Sequence, residues 1–395
     1  MNKLSRSLII LSIIPIVFSS CDLNKSDSND SSDSNQAAAA EKEKSEIQKI
    51  RDITSSELVS EMRIGWCLGN TMDSTLGRTD GTIADYETGW GNVSTTEEMI
   101  QGVADAGFNV IRIPVSWGEH VSSDGNYTID SKWMDRVNEI VDYGINCGMT
   151  VILNTHHEEW IFPDYAHLHK NTDELIKIWT QIGNRFEGYN ENLIFEGLNE
   201  PRKRNTAVEW NGGDEEGQDV VNQLNAAFVK TIRGLDGNNP KRHLMIPTYA
   251  ASSTTNALDS IKIPENDDKI IVSIHAYLPY KFALSESGTS QWNQSDASCT
   301  NEISQLMNNL KSRFIDKGTP VIIGEMGAVN RDNLEDRTRW AEYYIRTARE
   351  CGIPCLWWDN GSYLGKGELF GIYSRKSGRW IFNDIVDGLM KGLDD

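Results

Sequence analysis

Four stretches of this chain share one layout: a helical pattern, a glycine, two residues, an apolar run, then polar residues. They are AGFNVIRIP from Ala106, CGMTVILNTHH from Cys147, KGTPVIIGE from Lys317 and CGIPCLWWDN from Cys351. Gly107, Gly148, Gly318 and Gly352 fit the left-handed position that closes a helix. The apolar runs are continuous, as expected of parallel strands buried on both faces. Met62–Leu68, Leu193–Leu198, His243–Pro247 and Lys269–His275 extend the set to eight. Amphipathic stretches separate them, over Trp133–Cys147, Leu175–Phe186, Asp219–Leu235, Glu302–Ile315 and Arg337–Glu350. Thr54 with Glu57 forms a capping-box pattern opening a short helix before the first strand. Eight strands alternating with helices predict an α/β (β/α)8 barrel as a single domain. A doubly wound open sheet is the alternative, but no Gly-rich phosphate loop follows any strand.

The barrel is expected over residues 46–395. Residues 1–20 read as a signal peptide: Lys3 and Arg6 precede the apolar run Leu8–Phe18, which is too short to span a membrane. Ser19, Ser20 and Cys21 resemble a bacterial lipobox, with Phe18 where Leu is usual. The expectation is a lipid anchor at Cys21, with ordinary cleavage and release as the alternative. The protein would then be secreted, or held at the bacterial cell surface or outer membrane. Residues 21–45 are rich in Ser, Asp and Asn and read as a tether. The remaining cysteines, Cys67, Cys147, Cys299, Cys351 and Cys355, show no metal-ligand spacing and read as free thiols. A formal net charge of -20 makes nucleic acid and anionic membranes poor partners.

In such barrels the site lies at the C-terminal strand ends. Those ends supply Asn70, Arg112, His156 with His157, Asn199 with Glu200, His275 with Tyr277, Glu325, and Trp358 with Asn360. Glu200 and Glu325 each close an apolar run, NLIFEGLNE and PVIIGE. A carboxylate there is costly unless paired or at work. Two facing carboxylates suit glycoside hydrolysis, one protonating the leaving oxygen while the other attacks or activates water. Asn199 and Glu200 are adjacent and cannot both face the site from a regular strand, so a bend at Asn199–Pro201 is required. The HHEE run at His156–Glu159 lacks the helical spacing of zinc hydrolases, and no metal is expected. Twelve tryptophans include candidates for sugar stacking.

These motifs, in order, resemble glycoside hydrolase family 5: RIPVSW at Arg112–Trp117, the His156–His157 pair, LNEPR at Leu198–Arg202, HAY at His275–Tyr277 and IGEMG at Ile323–Gly327. IGWCLGNTMD at Ile64–Asp73 and WWDNG at Trp357–Gly361 resemble its subfamily 4. The resemblance implies a cofactor-free retaining endo-β-1,4-glucanase acting on a β-glucan, with Glu200 as acid/base and Glu325 as nucleophile. It implies that Arg112 and Tyr277 hold Glu325, that His275 neighbours Glu200, and that Asn199 bonds a sugar 2-hydroxyl. His156 would contact the sugar beside the scissile bond, Trp358 would stack beneath it, and Asn70, His157 and Asn360 would line the next subsite. Trp66 and Trp117 read equally as packing, and Cys67 stands where the family leads one to expect Asn. Xyloglucanase, xylanase or mannanase are the alternatives within the family. A non-catalytic glycan-binding lipoprotein is the alternative of another class. A monomer is expected.

Overall fold

The computed structural model describes residues 48–394. The expected signal peptide, Cys21 and the tether lie outside the described residues. Eight parallel strands close into a barrel in chain order: β1 Gly65–Leu68, β2 Val110–Ile113, β3 Thr150–Asn154, β4 Leu193–Glu196, β5 Leu244–Ser252, β6 Ile270–His275, β7 Val321–Met326 and β8 Cys355–Asp359. The ring closes between β1 and β8, with Leu68 opposite Asp359. A small antiparallel pair, β9 Tyr373–Ser374 and β10 Arg379–Trp380, follows β8.

The alternation of side chains along each strand divides the core into two layers. The inner layer takes one residue from every strand: Cys67, Val110, Ile152, Ile194, Met245, Ile271, Ile322 and Leu356. The outer layer takes their neighbours, among them Trp66, Ile111, Val151 and Phe195, and packs them against the helices. Both faces of each strand are therefore buried, which is why the sequence shows continuous apolar runs. Gly107, Gly148, Gly318 and Gly352 all have positive φ, ending the preceding helix as the repeat predicts.

Several boundaries differ from the sequence reading. The helix expected from Leu175 begins at Tyr165, because the Asp164 carboxylate caps it by accepting from the His167 amide at 2.8 Å. Its first turns are too polar to register as an apolar face. Glu200 and Glu325 are also not placed alike. Glu325 lies inside β7, whereas β4 stops at Glu196 and Glu200 sits on the loop beyond it. β7 carries a register irregularity between Ile323 and Met326, spanning Glu325. Such irregularities redirect a side chain at a barrel rim.

The barrel floor is tight at Gly65, where an added Cβ would fall 2.3 Å from the Leu356 side chain and 3.1 Å from Val110. Gly65→Ala should therefore destabilise the fold by about 1–3 kcal/mol through overpacking. Urea unfolding followed by tryptophan fluorescence reads this directly.

Candidate active site

Arg112 on β2 is fully buried and uses three nitrogens on three partners. Nε donates to Glu196 Oε2 at 2.7 Å, Nη1 to Glu325 Oε1 at 2.8 Å, and Nη2 to Asn199 Oδ1 at 2.7 Å. Glu196 is completed by Ser273 Oγ at 2.6 Å and Asn154 Nδ2 at 3.1 Å. Burial alone would strip charge from the guanidinium, but Glu196 and Glu325 hold its proton more firmly than usual. The neighbouring Cys67 thiol, donating to Gly324 O at 3.3 Å, is pushed well up by burial and stays neutral.

Glu325 Oε2 accepts from the Tyr277 hydroxyl at 2.8 Å. Burial, reinforced by the Glu325 charge, raises the phenol well above its ordinary pKa, so Tyr277 remains a donor. His275 Nδ1 lies 2.8 Å from Glu200 Oε1 and 3.6 Å from Glu325 Oε2. One carboxylate oxygen from each glutamate and a ring nitrogen of His275 lie within 4.8 Å of one another. Burial opposes charge on both His275 and Glu200. Against it, Glu325 and the Glu200 hydrogen bond raise His275, while the same hydrogen bond lowers Glu200. Both shifts favour the charged pair across this short contact.

The bend anticipated at Asn199–Pro201 is present in a particular form. Because β4 ends at Glu196, Asn199 and Glu200 lie on irregular backbone, and both side chains reach the same mouth. Accepting from Arg112 at Oδ1 leaves the Asn199 amide nitrogen to donate elsewhere.

Rings from the end of β8 and from the loops after β1 and β3 adjoin the carboxylates. His156 stacks on Trp358 at 5.7 Å with an interplanar angle of 4°, and meets His157 edge-on at 4.4 Å. Burial, with His157 and Arg112 nearby, holds His156 well below its usual pKa and therefore neutral. Trp90 leans on His157 at 5.3 Å and is 37% exposed. Asp73 lies beneath, 3.9 Å from His157 Nε2, accepting from the amides of Asn70 and Thr71 at 3.0 and 2.7 Å. Asn70 has φ 55, so its loop turns sharply at the rim. Asn360 is committed to the loop after β8, donating to Glu368 O at 2.7 Å and accepting from Ser362 N at 3.1 Å. Trp66 and Trp117 are core residues: Trp66 lies under Arg375, and Trp117 Nε1 donates to Asn154 O. The five described cysteines are free.

Two trios, Asp73–His156–His157 and Glu200–His275–Glu325, present ligand atoms close enough to hold an ion. The carboxylate of the first is already engaged by backbone amides, and in the second Arg112 and Tyr277 engage Glu325 while His275 engages Glu200. A fixed guanidinium beside the second repels a cation.

Sequence reasoning missed Glu196, Asp73, Trp90 and Asn92. Glu196 had left a signal, since a glutamate inside the run LIFE demands a buried partner. Asn92 ties two loops together, donating to Asn70 O at 2.8 Å and Asn360 O at 3.1 Å. Nothing in its local sequence announces that contact.

Two carboxyl groups this close, at the C-terminal mouth of a parallel (β/α)8 barrel, suit cleavage of a glycosidic bond. The class is therefore that of the glycoside hydrolases. The sequence matches the family described as Cellulase (glycosyl hydrolase family 5) over residues 73–364, and the chain belongs to that family. It is 49% identical over 348 residues to Endoglucanase B of Neocallimastix patriciarum, covering 87% of this chain and 73% of that one. A solved GH5-4 broad specificity endoglucanase from Ruminococcus champanellensis with bound cellotriose is 43% identical, with a TM-score of 0.85 over 87% of this chain and 100% of that one. XEG5A, a xyloglucan-specific endo-β-1,4-glucanase from a metagenomic library solved with cellotriose, is 41% identical, with a TM-score of 0.81 over 85% and 98% of the chains.

Removing the central cation strands two buried carboxylates. Arg112→Met should cost about 3–5 kcal/mol of stability and abolish turnover. Adding Glu196→Gln to that variant should recover part of the stability without restoring activity. Denaturant midpoints of wild type, single and double variants test the pairing.

Proposed function

We propose that the protein is a retaining endo-β-1,4-glucanase working by double displacement. The observation that carries this reading is the approach of Glu200 and Glu325 to within 4.8 Å. Retaining glycosidases hold their carboxyl groups about 5–5.5 Å apart, whereas inverting enzymes leave about 6.5–9.5 Å for a water. In the first step Glu325 attacks the anomeric carbon while Glu200 protonates the glycosidic oxygen. The carbon–oxygen bond breaks and its electron pair stays with the departing sugar. Glu200, now a carboxylate, takes a proton from water, which attacks the same carbon and releases Glu325.

Each neighbour has a part in that cycle. Arg112 and Tyr277 keep the Glu325 oxygens directed through charge-assisted hydrogen bonds. His275 holds Glu200 in place through its Nδ1–Oε1 contact. Asn199 donates to the sugar 2-hydroxyl, a contact that strengthens as charge develops at the neighbouring carbon. His156 and Trp358 bind the sugar beside the scissile bond, with His157 and Asn70 on the next ring. Asn360 supports that subsite by fixing the loop that follows β8.

The substrate we infer is a β-1,4-linked glucan. An endoglucanase name on a curated relative, and a cellotriose bound to a structural relative, support it. The likeness to a xyloglucan-specific enzyme supports a branched glucan as the second reading. Reducing-sugar release from carboxymethylcellulose, mixed-linkage glucan, xyloglucan, xylan and mannan should rank the unbranched glucans first. Glu325→Ala should lose at least about a thousandfold in turnover while retaining oligosaccharide affinity. Release that persists in that variant removes Glu325 from the mechanism. No release from any polymer by folded wild type favours the binding-protein alternative.

We further propose that the chain is exported and acylated at Cys21, supported by the basic start, the apolar run and the Ser-Ser-Cys boundary. The full chain expressed in a Gram-negative host should enter the detergent phase in Triton X-114, and Cys21→Ser should move it to the aqueous phase.

A further inference from the structure

Beyond Glu200, on the side turned away from Glu325, the loop after β4 forms a compact assembly that the mechanism above does not use. Its centre is Arg202. Nη1 donates to the Glu200 main-chain oxygen at 3.0 Å and lies 3.5 Å from Glu200 Oε2. Nε donates to Glu209 Oε1 at 3.1 Å, and Glu209 Oε2 is anchored by the Asn205 amide at 2.8 Å. The guanidinium lies 4.2 Å from the Trp210 ring centroid, close enough for a cation–π contact. Trp210 is nevertheless 56% exposed. A large apolar ring held in place yet left open to solvent is a surface prepared for a flat apolar partner, and the face of a pyranose is one.

The two oxygens of Glu200 divide the site. Oε1 is turned to His275 and the nucleophile, whereas Oε2 is turned to Arg202. A substrate bound at Glu325 through its anomeric carbon places its departing half beyond Glu200, on the Arg202 side. The same pocket wall includes Ile161, Pro201 and Arg204, and Arg204 reaches across to the Glu159 carbonyl of the loop after β3.

We propose that Arg202 is a positioning residue that joins a leaving-group-side sugar platform, the open face of Trp210, to the acid/base Glu200. Resting on the double-displacement reading, this assigns the platform to the sugar that departs and Arg202 to the charge left behind. As the glycosidic oxygen takes the Glu200 proton and its bond to the anomeric carbon breaks, negative charge appears on Glu200 beside the guanidinium. Arg202 stabilises that carboxylate and keeps the platform in register with it.

The groups facing Glu200 fix the sign of the pH effect. They are His275 on β6, Tyr277 after it, Glu325 on β7, Glu368 after β8, His157 after β3, and Arg202 itself. Among these, His275, Arg202 and His157 favour the ionised acid, and Glu325 and Glu368 oppose it. Removing Arg202 takes away a cation that favours carboxylate, so Glu200 keeps its proton to higher pH. Since the protonated form is the acid, the alkaline limb of kcat/KM moves upward.

The test compares cellohexaose, which extends past the scissile bond, with 2,4-dinitrophenyl β-cellobioside, whose leaving group needs no proton. Arg202→Met should raise the alkaline limb for cellohexaose by about 0.5–1 in pH without moving the acid limb. Arg202→Lys should return that limb toward wild type while KM for cellohexaose stays elevated, because an ammonium does not replace a flat guanidinium over Trp210. Trp210→Ala should raise KM for cellohexaose about tenfold more than for the aryl substrate, with the alkaline limb in place. An unmoved limb in Arg202→Met, or equal losses on both substrates in Trp210→Ala, overturns the proposal. Wild type that cleaves neither substrate overturns the double-displacement reading on which it rests, and wild-type activity with unmoved limbs overturns this inference alone.

Discussion

The site depends on one buried guanidinium. Arg112 sits where burial would ordinarily expel a charge, and it remains charged because Glu196 and Glu325 face it across the barrel mouth. Two carboxylates against one cation leave an unbalanced negative charge in a water-poor setting. Ser273, Asn154 and Tyr277 offset it with hydrogen bonds. Asn154 ends β3, while Ser273 and Tyr277 come from β6 and the turn after it, so opposite parts of the closed ring of strands converge on the nucleophile. A pair of this kind adds little net stability and penalises any loss of a partner. What it supplies here is a nucleophile oxygen held in place before substrate arrives.

The barrel also explains why one glutamate is rigid and the other adjustable. Glu325 lies within β7, beside a register irregularity and two fixed donors. Glu200 lies past the end of β4 on irregular backbone, in contact with a histidine on one oxygen and an arginine on the other. A nucleophile benefits from a fixed geometry. An acid that must also serve as base benefits from partners that accommodate both charge states. The difference in secondary structure thus matches the difference in chemical duty.

Much of this was legible in the sequence because it rests on local rules. Helix-ending glycines and doubly buried strands each mark their own positions, and polar residues at the ends of apolar runs mark the mouth. Those rules suffice to list Asn70, Arg112, His156, Glu200, His275 and Glu325 before any coordinates. They fail where a residue's role depends on a partner far away in the chain. Glu196 is the last residue of β4, and its role follows from Arg112, distant in the chain. Asn92 has no local motif, yet it links the loops after β1 and β8. Asn360 read as a sugar ligand, but its side chain is committed to its own loop. The adjacency of Asn199 and Glu200 posed a parity problem that only the early end of β4 resolves.

The central claim is that Glu325 forms a covalent bond to the sugar while Glu200 handles the proton. Incubation with 2,4-dinitrophenyl 2-deoxy-2-fluoro-β-cellobioside, followed by peptide mass spectrometry, tests it most directly. The account predicts a stoichiometric 2-fluorocellobiosyl adduct on the peptide carrying Glu325, formed at a reduced rate when Tyr277 is replaced by Phe. An adduct on another residue, or none from an enzyme that turns over β-glucan, would contradict it.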